Sequence, residues 1–294
     1  MIPVRGTFPE RETVRTQRRA IVAGPIRKPI IAGSWYPGNP TTLKETIKSY
    51  LDQASIPDIP DAPVAIIVPH AGYLYSGQVA AYAYKSIMNH DYSTVVVISP
   101  SHRAFFPHVS LWARGAYETP LGLCEVDEDL SRKLLSSQII RDDSKPHAGE
   151  HALEIQLPFL QMALDSFKLC PLILGQQDLV TCERLAESLY KHIPHPQDVL
   201  VVASSDLSHF HSGPKAEEMD ARVAEKIASF DIAGLSKDLE STYAEACGGG
   251  PIMTSLLYAK KLSRLQTKIL KYAHSGHITG DTSSVVGYLA AVIY

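Results

Sequence analysis

Three short apolar runs, each closing on a histidine, constrain this chain more than any other feature. VAIIVPH ends at His70, VVVISPSH at His102 and VLVVASSDLSH at His209, with Asp206 three residues before the last. Runs of Val, Ile and Ala this short, bounded by Pro, Gly and Ser, read as parallel strands covered on both faces. In such sheets reactive groups collect beyond the carboxyl ends of the strands. Side by side, the three strands would bring three imidazoles and one carboxylate to a single crevice, although His70 and His209 lie far apart in the chain. That is the composition of a metal or acid-base site.

The rest of the chain alternates in the same sense. A turn-rich loop, AGSWYPGNP, precedes a helix expected from Thr42, where Thr42 and Glu45 have capping-box spacing. GQVAAYAYKSIM, EHALEIQLPFLQMALDSF and CERLAESLYKHI read as helices, and LCPLILG as a strand. LWARGAYETPLGLCEV has the turns and alternation of several strands. A polar helical stretch runs from Pro214 to about Ser241, another helix follows CGGGPI, and ILKYAH and VVGYLAAVIY close the chain as strands. Strands joined by helices of this length predict an α/β fold with right-handed crossovers: one domain, a central, mainly parallel mixed sheet flanked by helices. With 294 residues and 45% hydrophobic content, a full core can be buried. No repeat or linker divides residues 29–294.

A net charge of -3 gives no general attraction to nucleic acid or anionic membrane. Basic residues do gather at the start (Arg5, Arg11, Arg15, Arg18, Arg19, Arg27, Lys28), diluted by Glu10 and Glu12, so residues 1–28 read as a solvated, partly disordered arm. The most apolar stretch is about half the length of a membrane span. Cys124, Cys170, Cys182 and Cys247 form no CxxC pair and no secretory segment precedes them, which fits a reducing cytoplasm.

Each candidate residue also has a plainer reading. A lone loop histidine is usually a hydrogen-bonded structural residue, but His70 and His102 repeat one arrangement of strand end, proline, small residue and histidine. Asp206 could orient His209, one helical turn further on, or simply cap a helix. Glu150, His151 and Glu154 open the EHALEIQLPF helix, with His151 and Glu154 on one face; the helix dipole accounts for Glu150 but not for His151. Cys247, before a glycine-rich helix start, is either a small core residue or a thiol of lowered pKa with greater metal affinity. Its three glycines would admit a ligand to the backbone.

AGSWYPGNP, PHAGYLYSG, SPSH, EHALEIQLPF, SSDLSHF, CGGGPI and DTSSVVGYLA, in this order along nearly the whole chain after residue 30, resemble the Memo family. The resemblance implies the fold of the class III extradiol dioxygenases, of LigB type. It also implies that His70, His102 and Cys247 are ligands of one metal ion, with Asp206 and His209 beside it and His151 and His209 as pocket histidines for acid-base roles. In the extradiol enzymes the third ligand is a carboxylate completing an Fe(II) facial triad. Cys247 stands in its place here.

Fe(II) is the metal implied first, with Cu or Zn as alternatives. His209, positioned by Asp206, would take a proton from a phenolic or enolic substrate, and His151 would donate one. Tyr73 and Tyr75 either line the pocket or pack against the loop. Radical-SAM and AMMECR1-like proteins are the partners the resemblance suggests. Two other readings stand beside an oxidoreductase: a metal- or peptide-binding protein without turnover, and a hydrolase with Cys247 as nucleophile, His209 as base and Asp206 as orienter.

Overall fold

The computed structural model describes residues 23–294, so nearly all of the basic arm lies outside the described residues. Its last part does not: β1 (Ile26–Arg27) belongs to a sheet and Arg27 is buried, so the folded body starts before the boundary expected at residue 28. There follow α1 (Pro40–Gln53), β2 (Ala65–Val68), α2 (Tyr73–Lys85), β3 (Thr94–Pro100), β4 (Val109–Leu111), β5 (Ala116–Thr119) and β6 (Gly122–Glu125). The middle of the chain forms α3 (Glu128–Leu134), β7 (Ile140–Asp142), α4 (Lys145–Gly149), α5 (Leu157–Ala163), β8 (Lys168–Leu174), α6 (Leu179–His192) and β9 (Val199–Ser204). The last third forms β10 (His209–His211), α7 (Gly213–Ala228), α8 (Ile232–Glu240), α9 (Gly249–Lys261), β11 (Thr267–His274), α10 (Gly276–Thr279) and β12 (Val285–Ile293).

The main sheet runs β10-β12-β2-β9-β3-β8-β4-β7, with β11 also paired to β12. Its centre, β2-β9-β3-β8, is parallel, while β12, β11, β10 and the β4/β8 pair add antiparallel edges. This is the mainly parallel mixed α/β sheet the sequence predicts. A smaller sheet, β1-β5-β6, carries the start of the chain.

Alternation along the central strands splits the core into two layers. Ile66, Val68, Val95, Val97 and Val202 face α1, α2 and α5, while Ala65, Ile67, Val96, Ile98 and Val201 face α6 and α9. Both faces are buried, which is why these strands read as unbroken apolar runs.

Two local expectations are corrected. Asn39, not Thr42, caps α1, its side chain accepting from the backbone of Thr41 at 2.9 Å and Thr42 at 3.1 Å. EHALEIQLPF does not open a helix: Glu150 ends α4, a turn carries His151, and a short 3-10 turn at Glu154–Gln156 leads into α5. Pro158, in the first turn of α5, fits a helix starting late.

Candidate metal centre

Register lines up the strand ends. Val68 pairs with Ser204 and Ile98 with Ala203, so His70, Asp206 and His102 leave the sheet at one edge. β9 lies between β2 and β3, so the two histidine-bearing strands are next-nearest rather than adjacent neighbours. The loops therefore leave the sheet around a topological switch, where open α/β sheets bind ligands.

His70, His102 and His151 meet there, each offering a ring nitrogen within 4.8 Å of the others. Their ring centroids are 5.1 Å (His70–His102), 5.7 Å (His70–His151) and 4.6 Å (His102–His151) apart. They stand on the wall of a crevice of about 810 Å³ that also includes Trp35, Tyr75, Asp206, His209 and Phe210.

The hydrogen bonds fix which nitrogen of His70 is free. Ser204 Oγ has one proton and two lone pairs. It donates to the Ala152 carbonyl at 2.7 Å and accepts from Gln156 Nε2 at 2.8 Å, so at 2.9 Å it must also accept the proton of His70 Nδ1. The Nε2 lone pair of His70 is thereby turned toward the crevice, where the Cys247 thiol lies 3.0 Å away. Burial, followed by the neighbouring His102, pushes the His70 pKa down to about 3, so the ring is neutral, the state a metal ligand needs.

Glu150 does the same for His102. Its carboxylate accepts from His102 Nδ1 at 2.9 Å and His102 N at 2.7 Å, and from the backbone of His151 and Ala152 at 2.9 Å each. Burial opposes its charge, but these donors outweigh burial and hold its pKa down to about 2. A carboxylate behind a ligand-type imidazole fixes the tautomer and raises basicity at the other nitrogen. Sequence reasoning gave Glu150 only a helix-dipole role. His151 packs against Trp35, ring centroids 4.5 Å apart and planes tilted by 57°, and burial pushes its pKa down to about 4.

Asp206 and His209 line the same crevice, but the local geometry of the other candidates differs from that expected. His209 is not one helical turn beyond Asp206; it starts strand β10. Its Nδ1 donates to the Leu207 carbonyl at 2.7 Å and its backbone N–H to Glu245 at 3.1 Å, leaving Nε2 with a free lone pair on the crevice wall. Asp206 therefore does not hold the His209 ring. It accepts instead from the backbone N–H groups of His70 at 2.6 Å and Ala71 at 3.2 Å, clamping the turn that presents His70. Burial drives its pKa up to about 6, against those same hydrogen bonds.

Cys247 is outside the mutually close trio. Its sulfur lies 3.0 Å from His70 Nε2 and accepts from the backbone of Asp206 at 3.2 Å. Burial, and then Asp206, push the thiol pKa well above its usual range, the reverse of the lowering expected at a helix start. The adjacent glycines serve packing, not ligand access: a Cβ on Gly248 would sit 2.1 Å from the Ser204 carbonyl oxygen, and on Gly249 2.6 Å from Leu239. With the thiol against His70 and Asp206 off the His209 ring, no Cys-His-Asp relay is assembled.

Glu154 does not share the crevice with His151. Fully buried, it pairs with Arg27 and accepts from Ile30 N at 2.9 Å, Ile31 N at 3.1 Å and Tyr36 Oη at 2.8 Å. Arg27 also donates to the Glu150 carbonyl at 2.7 Å. The pair thus ties the Trp35 loop to the segment carrying Glu150 and His151. Tyr75 lines the crevice, whereas Tyr73 is buried with its hydroxyl on the Ile155 carbonyl at 2.8 Å.

The family model for Memo-like proteins matches residues 27–292. The chain belongs to the Memo family. A MEMO1 family protein of Sulfurisphaera tokodaii is 40% identical, the match covering 90% of this chain and 98% of the relative. One from Methanobrevibacter smithii is 37% identical over 91% of this chain and 99% of that protein. Among solved structures, an uncharacterized protein of Escherichia coli K12 superposes with a TM-score of 0.52 at 14% identity, covering 78% of this chain and 99% of its own, a likeness of fold alone. The family match begins at Arg27, the second residue of β1, in keeping with an ordered body that begins before residue 28. Among the described residues, no helix of this Memo family member is long and apolar enough to cross a membrane.

Proposed function

We propose that the crevice is a metal centre serving an oxidoreductase reaction on a small phenolic or enolic substrate. The observation that carries this reading is the pair His70 and His102, whose Nδ1 protons are committed to Ser204 and Glu150, so that each ring turns its Nε2 lone pair inward, that of His70 toward the Cys247 thiol at 3.0 Å. His151 joins them as third donor. Two or three imidazoles suit Fe(II), with Cu and Zn next. Such an ion, when bound, would polarise a substrate oxygen, and iron or copper, unlike zinc, would also supply redox capacity.

The chain's own residues do the rest. His209 accepts a substrate proton at Nε2, since its Nδ1 proton is held by Leu207. Asp206 keeps the His70 turn closed through two backbone bonds. Trp35, Tyr75 and Phe210 line the crevice and offer apolar surface to a substrate ring.

One observation favours a second arrangement. Two donors of one ion, with bonds of about 2.1–2.3 Å, stand roughly 3.0–3.6 Å apart. The 3.0 Å from His70 Nε2 to the sulfur of Cys247 falls in that range, so Cys247 can take the third position, losing its proton to coordination.

Metal analysis of purified protein tests both. Wild type should hold an iron, copper or zinc equivalent that His102→Ala lacks, and whichever of His151→Ala and Cys247→Ala loses it names the third donor. Equal metal content in wild type and His102→Ala would overturn the centre. Oxygen uptake with catechol-type substrates after anaerobic Fe(II) loading separates turnover from binding alone.

A further inference from the structure

A second group of donors lies outside this centre. Glu217 on α7, His274 at the end of β11 and His277 on α10 each offer a ligand atom within 4.8 Å of the others. We propose that these three form a separate site for a borderline divalent transition ion of the zinc class.

Three features of the cluster support this. His274 Nε2 is 3.4 Å from a Glu217 carboxylate oxygen, close to the roughly 3.0–3.4 Å between two donors that each bind one ion at about 2.1 Å. The His274 ring is 3% exposed, and Nε2, the nitrogen that faces Glu217, makes no hydrogen bond among the described residues. Buried polar groups are normally paired, and one left open beside a carboxylate is a donor without a cation.

The third feature is that the sequence His-Ser-Gly-His folds His277 back onto His274. The rings stack 3.8 Å apart at 27°, an approach that Gly276 permits, because a Cβ there would lie 3.0 Å from His274 Nδ1. His277 Nδ1 accepts the His274 backbone N–H at 3.0 Å, a bond that metal binding at this nitrogen would release. Two imidazoles and a carboxylate without sulfur favour Zn²⁺, Co²⁺, Ni²⁺ or Cu²⁺ over Mg²⁺ or Ca²⁺. A metal here joins α7, β11 and α10, and through Ser275 and Thr279 steadies one wall of the crevice.

Titration of metal-free protein with Co²⁺, read by visible absorption and by metal content after desalting, tests this. Wild type should take up one more equivalent than Glu217→Gln or His277→Ala, both changes at exposed positions, and that equivalent should lack a thiolate charge-transfer band. It should persist in His102→Ala, which separates it from the proposed centre. Loss of one ligand should weaken it by more than the roughly 10–100-fold that outer partners of a metal are worth. Equal uptake by wild type and both variants would overturn the proposal, as would retention of Co²⁺ by neither wild type nor His102→Ala.

Discussion

Glu150→Gln is the most informative single change, because the side chain keeps its shape while its charge and one acceptor are lost. Three of the four donors to Glu150 converge on one oxygen: His102 Nδ1 and the backbone of His151 and Ala152. A glutamine must therefore keep its carbonyl oxygen there and turn its amide nitrogen toward His102 N, which now stands 2.7 Å from the second carboxylate oxygen. Two donors then face each other in a buried place. One lost charge-assisted bond and one unsatisfied donor cost about 2–4 kcal/mol together. The same change makes the group behind His102 neutral, so affinity at the proposed centre should fall about 10–100-fold. Urea unfolding reads the first effect and competition with a chelator of known affinity the second. Unchanged metal affinity beside a clear loss of stability would refute the reasoning, leaving Glu150 as a structural acceptor only.

Other outcomes follow from the same geometry. The Asp206 pKa rises on folding from 3.8 to about 6, so its contribution is most favourable below the unfolded value and is lost as pH rises through 6. Asparagine keeps the acceptor for His70 and Ala71 without the charge, so metal-free Asp206→Asn should recover at most about 3 kcal/mol between pH 4 and 7, measured by urea midpoints. Glu154→Ala strands the buried Arg27 cation and three further donors, and should destabilise by about 3–5 kcal/mol in the same assay. Gly248→Ala must push Ser204 and Ser205 aside, costing about 1–3 kcal/mol and disturbing the Ser204 bond to His70; a variant as stable as wild type would contradict the packing.

The central sheet was legible because burial on both faces leaves no alternation to misread: β2, β3, β8 and β9 are apolar at every position that matters, and a histidine after such a run is a visible discontinuity. His70, His102, His151 and His209 stand out in the sequence by that signal or by the bareness of the plainer explanation. What sequence could not supply was partnership across distance. Arg27 and Glu154 are a buried pair with 126 residues between them, and nothing local marks either. Arg27 read as part of a solvated arm because charge density, not burial, is what a string of residues displays.

The local readings that the structure replaces at Glu150, Asp206 and the Cys247 thiol share one cause. Each rests on near neighbours in sequence: dipole compensation, orientation of a residue three positions on, a pKa lowered by a helix start. In the folded chain each answers to a group on another strand or loop instead. Glu150 receives His102 from the β3 loop, Asp206 receives the backbone of the β2 loop, and Cys247 meets His70. These contacts cross the switch between β2, β9 and β3, where loops from strands distant in sequence are forced together. The same logic shows which signal was passed over: ILKYAH is a fourth apolar-type strand ending in a histidine, with a second histidine three residues on, and it leads to the Glu217, His274 and His277 cluster. A strand-terminal histidine is therefore a pointer to a place in the fold, and the chemistry at that place is decided by which other strand ends share its edge.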